Sequence, residues 1–228
     1  DEGDAKALTT SFSPPNLIGE GKKVHSEWLF EFLHQPTDIR PWLKVRMPTY
    51  HFNAAHLNSL IKYFNALDKE EFPFVDAVDT ALTPEELEAG KKLFSDDYFG
   101  CAKCHIVGDT MPSGSAESWA PNFALSKKRL KPNWIGEWLK NPSELLPGTK
   151  MPTFYDPSSF ENAGPEDIFN GDENKQIEVL RNYILTLTNS PKTVKGSREV
   201  KPEAKPLPKP AAVETPAAIE VPASVPAH

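Results

Sequence analysis

The chain has two cysteines, three apart with a histidine directly behind them: Cys101-Ala102-Lys103-Cys104-His105. No other feature restricts the fold so much. A pair this close in sequence cannot staple distant parts of a 228-residue chain, so it marks a site. A zinc centre would need a second Cys or His pair at ligand spacing, and none is present. A thioredoxin-like redox pair needs a strand-containing fold, and no alternating stretch reads convincingly as a strand. Covalent haem attachment fits. Two thiols at this spacing reach the two vinyl groups on one porphyrin edge, and the adjacent imidazole of His105 reaches beneath the ring to the iron.

The periodicity around this motif is helical. Ser26 can cap a helix over about 26–34, in which Trp28, Leu29, Phe32 and Leu33 recur on one face. A Pro-rich loop from Pro36 to Pro48 leads to a helix over about 53–67, capped by Asn53 and lined by Leu57, Leu60, Ile61 and Phe64. Residues 68–82 read as an acidic connector. Thr83-Pro84-Glu85-Glu86 then supplies a cap, a proline at the first helical position and first-turn acids, for a helix ending near Phe94. Further helices are expected at about 132–140 and 174–188, the latter lined by Ile177, Leu180, Ile184 and Leu187. Eight of the 23 prolines fall within residues 191–228, a Pro/Ala/Lys/Glu tail expected to be disordered.

A repeat underlies this order. Shifted by 106 positions, Pro15-Asn16 matches Pro121-Asn122, Trp28 matches Trp134, Leu33 matches Leu139, Pro36 matches Pro142 and Pro41 matches Pro147. After a two-residue length difference Met47-Pro48-Thr49 matches Met151-Pro152-Thr153, and Tyr63 lies opposite Tyr183. Residues 1–67 are thus a first copy that lacks its front part and has no Cys-x-x-Cys-His. Residues 83–190 are the second, haem-bearing copy.

Over residues 84–188 the second copy resembles the class I c-type cytochrome family. Gly90 and Phe94 sit four apart on the helix before the motif, as in that family's first helix. Pro121-Asn122-Phe123 is similar to its Pro-Asn-Leu step. Trp138-Leu139-Lys140-Asn141-Pro142 and Pro147-Gly148-Thr149-Lys150-Met151 match its axial-methionine segment, and Leu180 and Tyr183 stand where its last helix packs on its first. Two departures are a longer step from Phe94 to Cys101 and a Ser/Gly-rich insertion after His105. The resemblance implies an all-α class I cytochrome c fold, preceded by a partial, mainly helical cytochrome c-like half-domain. It implies Met151 as sixth iron ligand, with Met111 a weaker rival. It also implies a Pro121 carbonyl accepting from His105, Trp138 near the methionine sulfur and Thr149 at a haem propionate.

The expected role is electron transfer. A His/Met-ligated haem has no vacant position for substrate, and no nucleophile or acid–base pair is evident. The alternative is a haem-containing oxidoreductase or peroxidase-like subunit with a dissociable sixth ligand. A net charge of −7 argues against nucleic acid. No apolar run approaches the roughly 18 residues of a membrane span. The chain opens Asp1-Glu2-Gly3-Asp4 without a signal peptide and reads as mature or trimmed. Haem c chemistry places the protein in the periplasm or elsewhere outside the cytoplasmic membrane, as a possible respiratory subunit. Lys103, Lys127, Lys128, Arg129, Lys131, Lys140 and Lys150 are expected to cluster near the haem edge and steer a redox partner. His25, His34, His51, His56 and His228 read as surface or loop residues.

The first copy keeps Met47 and both helices. It reads as a haemless relic, as part of a longer chain with its own motif upstream, or as a module whose haem comes from a partner with Met47 closing the site. In each case the face built from Trp28, Phe32, Leu57, Ile61 and Phe64 is expected to be covered, by the haem domain, by another molecule of this chain or by another cytochrome subunit.

Overall fold

Helix α4, Pro84–Phe94, shows how closely local sequence dictates local structure. Thr83 Oγ1 accepts from the Glu86 N–H, and the Glu86 carboxylate accepts from the Thr83 N–H, a complete capping box with proline at the first turn. The computed structural model describes residues 16–44, 46–71, 78–155 and 164–188. The tail from 191, the segment 1–14 and the middle of the connector lie outside the described residues. Before α4 come α1 (Glu20–Lys23), α2 (Ser26–His34) and α3 (Ala54–Leu67); after it come α5 (Ser126–Arg129), α6 (Pro132–Lys140), α7 (Pro142–Leu145) and α8 (Glu173–Thr186). Among the described residues strand pairing is limited to isolated bridges. No helix among them is long and apolar enough to cross a membrane.

The second copy is built on the crossing of α4 and α8. A side chain on Gly90 would place its Cβ 2.7 Å from the Tyr183 Cβ, so only glycine lets the helices approach this closely. Phe94 packs edge-on against both Tyr183 and Phe123. Leu93, Phe99, Phe123, Ile135, Leu139, Tyr155, Ile177, Leu180 and Ile184 form one core, against which Cys101 and Met151 are packed. In α8 Ile177, Leu180 and Ile184 are buried as their spacing predicts, whereas Leu187 is half-buried and lies past the helix, which runs 173–186 rather than 174–188.

The first copy repeats the plan. Its α1, α2 and α3 correspond to α5, α6 and α8. Leu57 and Ile61 are fully buried, and Val24, Leu29 and Ile61 form a small core with Trp28 and Phe64 at its margin. Asn53 caps α3 as expected. Ser26 does not cap α2: it is the first helical residue, and its Oγ accepts from the buried Asn65 side chain instead. The residue at the cap position is His25, whose own N–H is used elsewhere.

That use joins the copies. Val24 and Leu130, counterparts in the repeat, pair with each other as an antiparallel bridge. His25 N–H donates to the Arg129 carbonyl at 3.0 Å, and Lys131 N–H donates to the Lys23 carbonyl at 2.9 Å. Lys23 lies over the Trp134 ring and Arg129 over the Trp28 ring. Lys22 pairs with Glu137 and Lys128 with Glu31, each at 2.6 Å. Each of these contacts has a mate obtained by exchanging each residue for its counterpart 106 positions away. The two copies therefore meet about a local pseudo-twofold axis. The exposed ion pairs add only about 0.2–1 kcal/mol each. The stronger fastening is asymmetric: Lys131, 1% exposed, donates to the Gly21 carbonyl at 2.7 Å and pairs with Glu70 at 3.0 Å.

Candidate functional site

Gly100, at φ 58°, turns the chain from the end of α4 into a single 3-10 turn, Cys101–Lys103. This turn brings the backbone N–H of His105 to the Cys101 carbonyl at 3.0 Å. Cysteines and histidine thus share one local frame. Both cysteines are free thiols. Burial pushes the Cys101 thiol up to about 12. A disulfide-exchange pair needs the opposite, a stabilised thiolate, so the geometry does not favour a redox dithiol.

His105 Nδ1 donates to the Pro121 carbonyl at 2.8 Å. Its ring stacks on Phe123 at a centroid distance of 4.2 Å. Burial lowers the imidazole below its ordinary value, against an opposing contribution from the Pro121 carbonyl. The ring is therefore held neutral with Nε2 as its free nitrogen, the state a metal ligand needs. Pro121 itself is fixed from both sides. Ala120 N–H donates to the Cys104 carbonyl at 2.7 Å, and Asn122 exchanges hydrogen bonds with the Gly108 backbone.

On the methionine side, Trp138 Nε1 donates to Met151 Sδ at 2.8 Å, and Trp138 stacks on Trp134. Thr149 Oγ1 accepts from the Met151 N–H at 3.3 Å. Phe99 packs on Phe154 and Tyr155. The buried Tyr155 hydroxyl has no hydrogen-bond partner among the described residues, and burial raises it above its ordinary value. The Tyr155–Phe99 contact joins the cysteine and methionine arms. Sequence reasoning missed this aromatic wall, for which the only signal was the run Phe154-Tyr155 just beyond Met151. Met111 is exposed.

The expected basic cluster does not form as one surface. Lys131 is buried beneath the first copy, Arg129 is half-buried over Trp28, Lys128 is paired with Glu31 and Lys140 with Glu173. Lys103, Lys127 and Lys150 remain outward. The reason is the junction: its edge is the segment from Lys128 to Lys131, so these cations serve the contact between copies. His25 likewise is half-buried at that junction. In the first copy Met47 and Tyr63 are exposed, at 40% and 60%, whereas Trp28, Phe64 and Leu130 of the second copy pack against the core of Val24, Leu29 and Ile61.

The donor set is two thiols three apart, a neutral imidazole fixed through Nδ1 and a thioether fixed by an indole. With the orphaned Tyr155 hydroxyl and its aromatic wall, it fits haem c. No match was found among curated proteins or among solved structures. The sequence model of the Cytochrome c family matches residues 87–188, which takes in most of α4, the Cys-x-x-Cys-His motif, Met151 and α8. This part of the chain is accordingly a class I c-type cytochrome domain, whose regular elements among the described residues are helices and whose cofactor is one covalently bound haem c.

Proposed function

We propose that the protein is an electron carrier in which Cys101 and Cys104 hold haem c by thioether bonds and His105 and Met151 are the axial ligands. It works outside the cytoplasmic membrane, in the periplasm or its equivalent, as a respiratory subunit that exchanges electrons with protein partners. Haem c in such a site supplies one-electron exchange at iron, and a neutral thioether ligand favours the ferrous state. One observation carries the reading: both candidate ligands are fixed by a single partner each, His105 by the Pro121 carbonyl and Met151 by the Trp138 indole. Ligands held in place in both oxidation states keep reorganisation small. The outward Lys103, Lys127 and Lys150 favour an acidic partner surface. Residues 1–67 are proposed as an interaction half-domain, 68–82 as its connector and 83–190 as the haem domain.

The test is a haemochrome assay combined with oxidised-state spectra. One haem per chain and a low-spin oxidised spectrum are expected. Met151→Ala should turn the spectrum high-spin or water-ligated and lower the potential. His105→Ala should abolish haem incorporation. A high-spin wild-type spectrum with rapid peroxide binding would replace the carrier reading by the peroxidase-like one.

A further inference from the structure

The indole that holds the Met151 sulfur belongs to a stack leading out of the second copy. Trp138 Nε1 donates to Met151 Sδ at 2.8 Å, and the Trp138 ring stacks on Trp134 with centroids 5.1 Å apart and planes 17° from parallel. The two tryptophans lie one turn apart on α6, and both are half-buried. Over Trp134 stands Lys23 of the first copy, its Nζ 5.6 Å from the ring centroid. Glu20, bonded to Lys23 at 2.8 Å, holds the cation there. The Lys23 carbonyl accepts from the Lys131 N–H at 2.9 Å, which pins this part of α1 to the second copy. Contacts thus run from the sulfur, through two indoles, to the α1 edge of the junction.

The first copy holds the mirror of this stack without its inner end. Trp28 stacks on Phe32 at 4.8 Å, and Arg129 lies over Trp28 as Lys23 lies over Trp134. Phe32 stands where the second copy has Trp138, and a phenyl ring has no N–H to offer a sulfur. Stacking is therefore common to both copies and contributes packing in each. The indole–sulfur link is confined to the copy that carries the Cys-x-x-Cys-His motif.

We propose that Trp138 and Trp134 form an electron relay between the haem iron and the α1 edge of the junction. The proposal rests on the electron-carrier reading with Met151 as axial ligand. It deepens that reading by giving the electron an outlet beside the first copy. Tunnelling weakens steeply across gaps without atomic contact, and each step here is a hydrogen bond or a ring stack. One electron passes from ferrous iron to an oxidised one-electron partner at α1, or returns the other way. No bond forms or breaks and no proton is released. Lys23 contributes through its charge. A cation over the Trp134 face opposes removal of an electron from that ring, so the indole serves as a bridge and is not itself oxidised.

The test uses the haem-loaded full chain, in which the haem takes up both native thiols and an introduced cysteine can be labelled selectively. Lys22→Cys carries a ruthenium photosensitiser at α1, because Lys22 adjoins Lys23 and pairs with Glu137, three residues beyond Trp134. Glu88→Cys, exposed on α4, carries the same label away from the junction. Haem content, melting temperature, oxidised-state spectrum and midpoint potential are first matched to the parent. Flash photolysis then gives the rate of transfer between label and iron. With the α1 label, Trp134→Leu should slow the transfer by about tenfold, and Trp134→Phe, which keeps a ring in the stack, should restore most of the rate. With the α4 label neither substitution should change it. A second readout needs no transfer and no variant. In the ferric wild-type protein, unpaired spin passed through Met151 should shift the Trp138 Nε1 resonance beyond the shifts of the neighbouring ring carbons. The relay is overturned if Trp134→Leu leaves the α1 rate unchanged, if it slows transfer from both labels alike, or if the extra Nε1 shift is absent. A wild-type spectrum without methionine ligation would instead sink the electron-carrier reading on which the relay rests.

Discussion

The indole N–H of Trp138 donates to the Met151 sulfur across 2.8 Å, from α6 to the loop thirteen residues on. If the sulfur is an iron ligand, this hydrogen bond draws electron density from it and favours the reduced state. Trp138→Phe keeps the stack on Trp134 and removes only the donor. Its midpoint potential should fall by about 20–60 mV, the one-electron equivalent of a neutral hydrogen bond worth about 0.5–1.5 kcal/mol. Spectroelectrochemical titration reads this directly, and an unchanged potential would mean that the bond does not reach the iron.

The crossing of α4 and α8 gives a second expectation. Gly90→Ala improves helix propensity by up to about 1 kcal/mol. It also drives a methyl group into the Tyr183 Cβ, 2.7 Å away, and neither helix backbone can yield cheaply. Overpacking of this kind costs about 1–3 kcal/mol. A net loss of about 1–2 kcal/mol should appear in denaturant unfolding, whereas a more stable variant would show that the crossing is looser than its geometry indicates.

Lys131 offers a test of how the copies are held. Lys131→Met keeps the aliphatic stem but deprives the Gly21 carbonyl and Glu70 of their cation. A loss of about 2–4 kcal/mol is expected. It should be accompanied by faster proteolytic cleavage in residues 16–71 than in the haem domain. Equal protection of both regions would assign the lysine a role confined to the second copy.

The capping box carries a pH signature. Hydrogen bonds from Lys175, then from Thr83, hold the Glu86 carboxyl down to about 2, against an ordinary value of 4.5. A depressed carboxylate stabilises the fold at pH values above its unfolded value. That contribution is lost as pH falls from about 4.5 towards about 2. Glu86→Gln should flatten this part of the acid-unfolding curve and leave the slope near neutrality unchanged. An identical acid limb in both proteins would show that Glu86 is not the group responsible.

Much of this was legible in the residues. The motif at 101–105 named the cofactor chemistry because thiol spacing is dictated by the porphyrin itself. Gly90 and Pro121 were readable through the resemblance to the cytochrome c family, which implies a close helix crossing at the glycine and an accepting carbonyl at the proline. The repeat could be found by matching Trp28 with Trp134 and Met47 with Met151. The mutual docking of the copies could not. A one-residue bridge at Val24 and Leu130 leaves no periodic signal, and the flanking one-turn helices are too short to show a face. Lys131 looked like a surface cation because its partners, Gly21 and Glu70, lie 110 and 61 residues away. Ser26 looked like a cap because the residue its Oγ accepts from, Asn65, lies 39 residues away.

The exchange relation between Lys22–Glu137 and Lys128–Glu31, and between the two cation–ring contacts, has an evolutionary consequence. A surface that meets its own likeness about a twofold axis is isologous, the form taken by symmetric homodimers. Such self-complementarity has no reason to arise between two unrelated halves of one polypeptide. It is what remains when a gene for a dimer-forming ancestor duplicates and fuses. The asymmetric Lys131 fastening is the kind of change that becomes available once the halves no longer share a sequence.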